Sequence, residues 1–252
     1  QAKRLGYEVN ILGTQNVCEA VHRNPSIKGM ILAGSWHVVG ERELRGTIDE
    51  EFGFRPDKVE DRARLYALCK IGQETIVRVY DEMSEKIFGV IRMGTALGRG
   101  MPEKTAASLF ITSALEGKPL TPFKHSMYRP MLYVDVNDVC KAFEVYAKKI
   151  LRDEIRKDVP SLSHVVNFCW PKPLTILELA ETIRDATIKH SEGKIKPRIE
   201  IVNQGLPTQF TRRDKNLIKV DMTKAKQFFG IKKLTNPRET IRKLVQDLMV
   251  VH

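Results

Sequence analysis

The sequence predicts an α/β fold in which helices cover both faces of a mainly parallel β-sheet. Apolar runs of strand length alternate with segments of helical period along the 252 residues, which is the pattern of βαβ units. Hydrophobic residues make up 42% of the chain, enough to bury the core of one large domain or two modest ones. Parallel strands need crossover connections, so this alternation favours a parallel sheet.

Four apolar runs are predicted to form strands, because each is short and bounded by polar or turn residues. In chain order they are IKGMILAGS, KIFGVIRM, RPMLYVDV and HVVNFC. Around them, apolar residues at spacings of three and four predict helices over VNILGTQNVCEAVHRN, VEDRARLYALCKIGQETIVRVYDEMS, KTAASLFITSALEGK, NDVCKAFEVYAKKIL, TILELAETIRDATIKH, MTKAKQFFG and NPRETIRKLVQDLMV.

Three of the predicted helices carry end signals. Thr175, with Glu178 three residues later, predicts an N-terminal capping box. Gly230 is predicted to end the helix MTKAKQFFG, because glycine tolerates the left-handed conformation that often follows a last turn. Pro237 is expected in the first turn of the closing helix, where its missing N–H costs nothing.

Composition limits the class of protein. The net charge is +11, and residues 151–252 contribute most of it, with 20 Lys and Arg against 12 Asp and Glu. Such a basic segment suits an anionic partner, either a phosphorylated small molecule or nucleic acid, or is simply a soluble surface. Nucleic acid is disfavoured, because the aromatic RNA-binding signature is absent. No apolar run reaches the roughly 18 residues of a membrane span.

The cysteines indicate the compartment. The chain has four of them, far apart and without a Cys-x-x-Cys pair, which argues against a zinc site. Isolated thiols of this kind are typical of proteins in a reducing environment. The sequence therefore predicts a cytoplasmic protein without a metal.

One helix carries a candidate catalytic pair. Tyr66 and Lys70 are four residues apart in LYALCKIGQE, so they share one helix face. An ammonium close to a phenol favours the phenolate, which makes a tyrosine usable as an acid/base near neutral pH. Ser35 directly follows a predicted buried strand, the usual place of ligand contacts in open α/β sheets. A surface tyrosine beside a solvated lysine is the alternative.

Six segments, in this order along the chain, resemble motifs of one family: NILGTQNVCEA, GSWHVVGE, YALCKIGQE, VIRMGTALGRG, RPMLYVDVNDVCKAF and VDMTKAKQFFGI. Taken in the same order, the six segments are similar to the motifs Asn-x-x-Gly-Thr-x-Asn, Ser-Ser-x-x-Val-Tyr-Gly, Tyr-x-x-x-Lys-x-x-x-Glu, Arg-x-x-Asn-Val-Tyr-Gly-Pro, Arg-Asp-Phe-x-Tyr-Val-x-Asp-Val and Asp-x-x-Lys-Ala-x-x-x-Leu-Gly. These motifs belong to the extended short-chain dehydrogenases/reductases, in the NAD-dependent epimerase/dehydratase group that acts on nucleotide sugars. The resemblance runs essentially from end to end.

The resemblance implies a set of roles around a bound NAD or NADP. Tyr66 would be the acid/base on the sugar hydroxyl, and Lys70 would hold the nicotinamide ribose. Ser35 would hydrogen-bond the same substrate oxygen as Tyr66. Asn10 matches the family's helix asparagine and would lie on the cofactor side, with a local polar contact as its alternative.

The resemblance also implies a site for the nucleotide sugar. Thr95 stands where the family has a substrate-contacting asparagine, and Arg129 matches an arginine that reaches the diphosphate. Arg212 and Arg213 lie where the family places another phosphate-binding arginine, although a solvated loop is the alternative. A bidentate guanidinium suits phosphate oxygens.

Departures from the family pattern narrow the chemistry. Members that eliminate water have acidic residues just after the serine or threonine, and this chain has Trp36 and His37 there. A dehydration needs a positioned acid, so a dehydratase or decarboxylase is disfavoured. His37 is a candidate to assist an epimerase or reductase, because histidine is the side-chain type that ordinarily changes charge near neutral pH; packing at the strand end is the alternative. An NAD-dependent nucleotide-sugar epimerase is therefore the main prediction, with an NAD(P)-dependent carbonyl reductase or a non-catalytic RNA-binding protein as alternatives.

The family fold implies two lobes. Residues 1–98 and 131–172 would form a partial NAD(P)-binding Rossmann-type domain, and residues 99–130 and 173–252 a smaller substrate-binding lobe. A homodimer is compatible with this family.

The glycine-rich turn that binds the cofactor pyrophosphate is not found in the sequence. The glycines of MGTALGRG follow the Tyr66–Lys70 helix rather than precede it, which argues against that role. An N-terminal truncation is therefore expected, with weak NAD binding and little activity for this chain alone.

Overall fold

The computed structural model describes residues 2–249, and within them short strands alternate with longer helices as predicted. The strands are β1 (Gly29–Ser35), β2 (Gly46–Ile48), β3 (Ile87–Met93), β4 (Thr95–Leu97), β5 (Pro130–Met131), β6 (Tyr133–Asp135), β7 (Val165–Phe168), β8 (Leu174–Thr175) and β9 (Ile218–Val220). The helices are α1 (Ala2–Tyr7), α2 (Gly13–Arg23), α3 (Asp61–Met83), α4 (Ala106–Leu115), α5 (Val136–Leu151), α6 (Ile176–His190), α7 (Thr223–Phe229) and α8 (Pro237–Met249). A π-helical segment, Glu8–Leu12, joins α1 to α2.

The central sheet is parallel and has the order β1–β3–β7. Strand β3 lies in the middle and is buried over nearly its whole length. Helices α2 and α3 pack on one face and α5 on the other, and each face has its own cluster of buried apolar side chains. The predicted sheet with helices on both faces is confirmed.

The segment RPMLYVDV was predicted as one strand, and this prediction is wrong in detail. It forms β5 and β6, which pair with different partners: β5 with β8 in antiparallel sense and β6 with β4 in parallel sense. Gly94, between β3 and β4, allows this segment to approach closely. A side chain there would lie 2.8 Å from the Leu132 carbonyl oxygen, which accepts a hydrogen bond from the next amide, Thr95.

The predicted helix ends are confirmed within the described residues. Thr175 and Glu178 form the reciprocal capping box at the start of α6. Gly230 follows α7 in the left-handed conformation, with φ of 66°, and α8 begins at Pro237. The predicted last residue of α8, Val250, lies outside the described residues.

Helices α4, α6 and α8 pack against one another beside the sheet. A strand pair that the sequence did not predict, β2 with β9, joins the segment after β1 to the C-terminal part of the chain. None of the described helices combines the length and the apolar character needed to cross a membrane.

A buried ionic cluster fastens α3 to the neighbouring strands. The Asp81 carboxylate accepts hydrogen bonds from the Phe88 amide at 2.8 Å and from His164 Nδ1 at 2.7 Å. Lys157 Nζ lies 3.0 Å from the same carboxylate. Burial alone would raise the pKa of Asp81, but the hydrogen bonds from His164 and Phe88 outweigh it and hold this pKa below its usual range.

Replacing Asp81→Asn is expected to lower the free energy of unfolding by about 3 kcal/mol at pH 7, because Lys157 and His164 lose their buried anion. A carboxyl with a depressed folded-state pKa stabilises the fold above its unfolded pKa of about 3.9 and loses that contribution as the pH falls. The difference in free energy of unfolding between the parent and Asp81→Asn should therefore become smaller below about pH 4. Urea denaturation across this pH range measures it.

Asp185→Asn is the matched control, because Asp185 is 65% exposed and pairs with Arg184 at the surface. Its effect should stay within about 0.5 kcal/mol. Equal losses in the two variants would contradict a special role for the Asp81 cluster.

Candidate active site

Ser35 is the last residue of β1 and lies at the carboxyl end of the sheet. The chain then makes a 3-10 turn over Trp36–Val39, and the Ser35 hydroxyl caps it by accepting the His37 amide at 3.3 Å. Gly40 ends the turn with φ of 83°, close against the backbone of Arg55. The turn therefore fixes both the place and the direction of the Ser35 side chain, which is buried.

Helix α3 brings Tyr66 and Lys70 to the carboxyl end of β1, close to Ser35 and the turn that follows it. Lys70 Nζ donates to the carbonyl oxygen of Ala33 in β1 at 3.1 Å and lies 5.9 Å from the centre of the Tyr66 ring. The Tyr66 ring, which is 47% exposed, meets the His37 ring edge-on at 5.5 Å between centroids. Burial lowers the pKa of the Lys70 ammonium below its ordinary value.

His37 connects Ser35 to a buried carboxylate. Its Nδ1 lies 3.1 Å from the Ser35 hydroxyl oxygen, and its Nε2 lies 3.1 Å from Glu41 Oε1. Glu41 is fully buried, which alone would raise its pKa. The hydrogen bond from His37 and the charge of Arg129 outweigh this effect and lower the pKa of Glu41 to about 2, so the group is an anion at neutral pH.

Arg129 bridges two buried carboxylates. One terminal nitrogen contacts Glu41, and the other donates to Glu60 Oε2 at 3.0 Å. The Glu60 amide also donates to Glu41 at 3.2 Å. The Arg129 Nε has no hydrogen-bond partner among the described residues. The guanidinium predicted to reach a diphosphate is therefore mostly engaged within the protein.

A cavity of about 480 Å³ opens beside these residues. Its lining contains three cations and several apolar side chains, and none of its described lining residues is acidic. The lining residues include His37, Arg62, Thr95, Lys104, Phe123 and Arg129. The amino terminus of α4, at Thr105 and Ala106, also faces the cavity. Cations and free helix N–H groups both favour an anionic ligand.

The other predicted site residues are divided between the cavity and the surface. Thr95 lines the cavity, and its hydroxyl lies 3.4 Å from the Trp36 indole nitrogen. Asn10 makes the local contact that was its alternative, donating to the Gly6 carbonyl oxygen at 2.8 Å. Arg212 and Arg213 are exposed and are not among the residues lining the cavity.

Sequence reasoning missed four charged residues of this region: Glu41, Glu60, Arg62 and Lys104. Glu41 had a detectable signal, because it follows His37 by four residues in the segment GSWHVVGE. The other three carry no local signal, since only the folded chain brings them to the cavity.

The sequence model of the NAD dependent epimerase/dehydratase family matches residues 2–159. This is more than half of the chain, so the protein belongs to this family, as the resemblance predicted. The family is NAD-dependent and enzymatic. Comparison with curated protein sequences finds no match.

Solved structures of similar fold include UDP-glucuronic acid 4-epimerase from Bacillus cereus, with a TM-score of 0.69 and 18% identity over 96% of this chain and 68% of that one. A UDP-galactose 4-epimerase has a TM-score of 0.71 and 17% identity over 99% of this chain and 72% of that one. The dTDP-glucose 4,6-dehydratase of Bacillus anthracis str. Ames has a TM-score of 0.69 and 21% identity over 95% and 67%. These likenesses confirm the Rossmann-type fold.

Proposed function

We propose that the protein is an NAD-dependent epimerase-type oxidoreductase acting on a nucleotide sugar, by transient oxidation at one sugar carbon. The observation that carries this proposal is the convergence of Ser35, Tyr66 and Lys70 at the carboxyl end of β1, next to a cationic cavity. Membership of the NAD-dependent family supports it. So do similar structures that hold UDP-glucuronic acid and NAD.

The residues present fit one end of the cofactor. Lys70 has an ammonium at the strand end, tied to the Ala33 carbonyl by one of its three donors. Its remaining donors suit the hydroxyls of a ribose. Bound NAD would supply the acceptor and donor of the hydride. The local contact made by the Asn10 side chain leaves its proposed place on the cofactor side resting on the motif alone.

The substrate diphosphate is proposed to lie in the cavity near Lys104 and the amino terminus of α4. His37 lines the same cavity, so a ligand that fills it extends to Ser35 and Tyr66. Thr95 is proposed to contact the sugar. The Arg129 Nε is proposed as a further contact, while Arg212 and Arg213 would reach the ligand only at its exposed end.

Tyr66 is proposed as the acid/base on the reacting hydroxyl, and Ser35 as a hydrogen-bonding partner of the same oxygen. Trp36 and His37 stand where an elimination would need acids, which favours reversible oxidation over loss of water. An epimerase returns the hydride within one turnover. A reductase would instead consume cofactor stoichiometrically.

We also propose a division of labour between two lobes, with residues 1–98 and 131–172 binding cofactor and residues 99–130 and 173–252 binding substrate. The packing of α4, α6 and α8 together supports this division. The pairing of β2 with β9 would link the two lobes.

In a form of the protein that binds NAD, Tyr66→Phe should retain the fold and cofactor binding and lower kcat about 100-fold or more, because only the phenolic hydroxyl is removed. The measurement is conversion of UDP-glucose or UDP-glucuronic acid to its 4-epimer in the presence of NAD. Tyr128→Phe is the control, since Tyr128 lies beneath Arg212 and outside the cavity lining. A near-parental rate for Tyr66→Phe would show that another group is the acid/base.

Three variants that each remove one cation distinguish a role in substrate binding from a role in the stability of the fold. Lys104→Ala should raise KM for the nucleotide sugar about tenfold with little change in kcat, because a diphosphate contact acts in ground and transition states alike. Arg129→Ala should lower the free energy of unfolding by about 3 kcal/mol, because buried Glu41 loses its arginine and buried Glu60 keeps only the exposed Arg62. Arg213→Ala, an exposed control, should change unfolding by less than about 0.5 kcal/mol.

These variants are compared by steady-state kinetics and urea denaturation. If Arg213→Ala raises KM and Lys104→Ala does not, the diphosphate binds at the exposed loop and not in the cavity.

A homodimer is proposed through an apolar stripe on α3, defined by Leu65, Leu68, Val79 and Met83. These side chains are 42% to 61% exposed, and their spacing returns them to one helix face. A second copy would cover the stripe by helix-to-helix packing.

Light scattering should give a molar mass twice the 28.8 kDa of the chain. Val79→Lys should give monomers, whereas Leu151→Lys, an exposed apolar residue on α5, should leave the dimer intact.

A further inference from the structure

We propose that His37 is a positioning residue that sets the direction of the Ser35 hydroxyl, and that its protonation reverses that direction. The inference rests on the proposed function for its catalytic consequence, but its geometry stands on the hydrogen bonds around His37. Those contacts form a continuous chain from Ser35 through His37 and Glu41 to Arg129.

The buried carboxylate fixes the tautomer of the neutral imidazole. Glu41 can only accept, and its Oε1 is 3.1 Å from His37 Nε2. The proton of neutral His37 is therefore on Nε2. An Arg129 nitrogen lies 3.5 Å from the same ring atom, but it also contacts Glu41 and can only donate. The shared carboxylate accounts for the proximity of both donors.

This tautomer leaves His37 Nδ1 as an acceptor. Its partner at 3.1 Å is the Ser35 hydroxyl, which must then donate. The same oxygen accepts the His37 amide at 3.3 Å, so one lone pair remains for a ligand. With neutral His37, Ser35 is thus an acceptor toward a substrate and fits an alcohol O–H.

Protonation of His37 reverses the arrangement. Nδ1 then carries a proton and donates to the Ser35 oxygen, so the Ser35 proton turns toward the ligand. Ser35 becomes a donor and no longer accepts from an alcohol. The alcohol form of the substrate should consequently bind productively only while His37 is neutral.

The groups that face His37 come from three parts of the described structure. Ser35, Trp36 and Glu41 belong to its own segment, and Trp36 packs against it at 4.4 Å between ring centroids. Tyr66 approaches from α3. Arg129 approaches from the loop before β5, with Glu60 behind it. Glu41 is the single carboxylate in direct contact with the ring in this described surrounding.

The first experiment reads the tautomer without turnover. Long-range ¹H–¹⁵N spectra of the full chain, labelled at histidine, are recorded from pH 5.5 to 9 for the parent, Glu41→Gln and His37→Asn, the last assigning the signal. We expect the Nε2–H tautomer in the neutral parent and a mixture of tautomers in Glu41→Gln. A dominant Nδ1–H tautomer in the parent would overturn the proposal.

The second experiment separates positioning from mere packing. Asparagine at position 37 retains an acceptor near the Nδ1 position and cannot be protonated. His37→Asn should keep kcat within a fewfold of the parent and lose the fall in kcat at acid pH. His37→Phe lacks the acceptor and should lower kcat about tenfold at every pH. His190→Asn, on α6, is the control.

A second background tests whether His37 acts through Ser35. In Ser35→Ala, His37→Phe should cause no further loss, since the positioned hydroxyl is gone. Equal losses in both backgrounds, or an acid limb that persists in His37→Asn, would overturn the proposal. If the parent and His190→Asn bind NAD but turn over neither UDP-glucose nor UDP-glucuronic acid, the proposed function fails, and the spectra alone decide the positioning claim.

Discussion

The ion pair of Arg129 with Glu41 and Glu60 holds the candidate site together. Arg129 precedes β5, Glu41 follows the turn after β1, and Glu60 precedes α3. Removing such charges from water costs several kcal/mol for each ion, and their attraction only roughly offsets that cost. The network's main effect is therefore one of position. It keeps three separate segments at fixed distances around the carboxyl end of β1.

A second buried pair orients helix α3, which carries the candidate catalytic residues. Arg92 of β3 donates two parallel hydrogen bonds to the Glu74 carboxylate on α3, from Nε to Oε2 at 2.9 Å and from a terminal nitrogen to Oε1 at 2.6 Å. Tyr66, Lys70 and Glu74 follow one another at intervals of four residues, so they share one face of α3. Because Glu74 is fixed to the centre of the sheet, Lys70 reaches β1 and Tyr66 passes the end of that strand. The rotation of the whole helix is set by a residue with no role in the chemistry.

Local signals in the sequence predicted most of the helices and their ends, because caps such as Thr175 with Glu178 involve neighbouring residues. They failed for RPMLYVDV, whose apolar run contains two strands with different partners. They also missed the pair of β2 and β9, whose paired residues lie about 170 positions apart. Pairing over such distances leaves no periodic trace in either short segment.

In the candidate site, too, local sequence signals identify some residues, whereas contacts between distant segments leave no such signal. The convergence of Ser35, Tyr66 and Lys70 at the end of β1 was predictable, because motif and strand position bring them together. Arg129 was expected to face a ligand, and the two carboxylates that engage it are 69 and 88 residues away. No sequence rule ties a guanidinium to partners at such separations.

Charge gives the clearest example of why bulk composition misleads about a site. The excess of Lys and Arg lies in residues 151–252, yet the cations that line the cavity are Arg62, Lys104 and Arg129. The cavity is cationic because acidic side chains are absent from its described lining, while the carboxylates nearby are already paired with Arg129. Arg62 and Arg129 are themselves paired with buried carboxylates, and Lys104 makes no ion pair among the described residues. A cation without such a partner, in a concave and partly apolar site, acts at short range on a bound anion. The basic segment acts differently, since exposed charges are screened beyond about 10 Å and mainly raise the rate at which anions approach. Affinity for an anionic ligand would therefore depend on residues outside the most basic part of the chain, and on Lys104 above all.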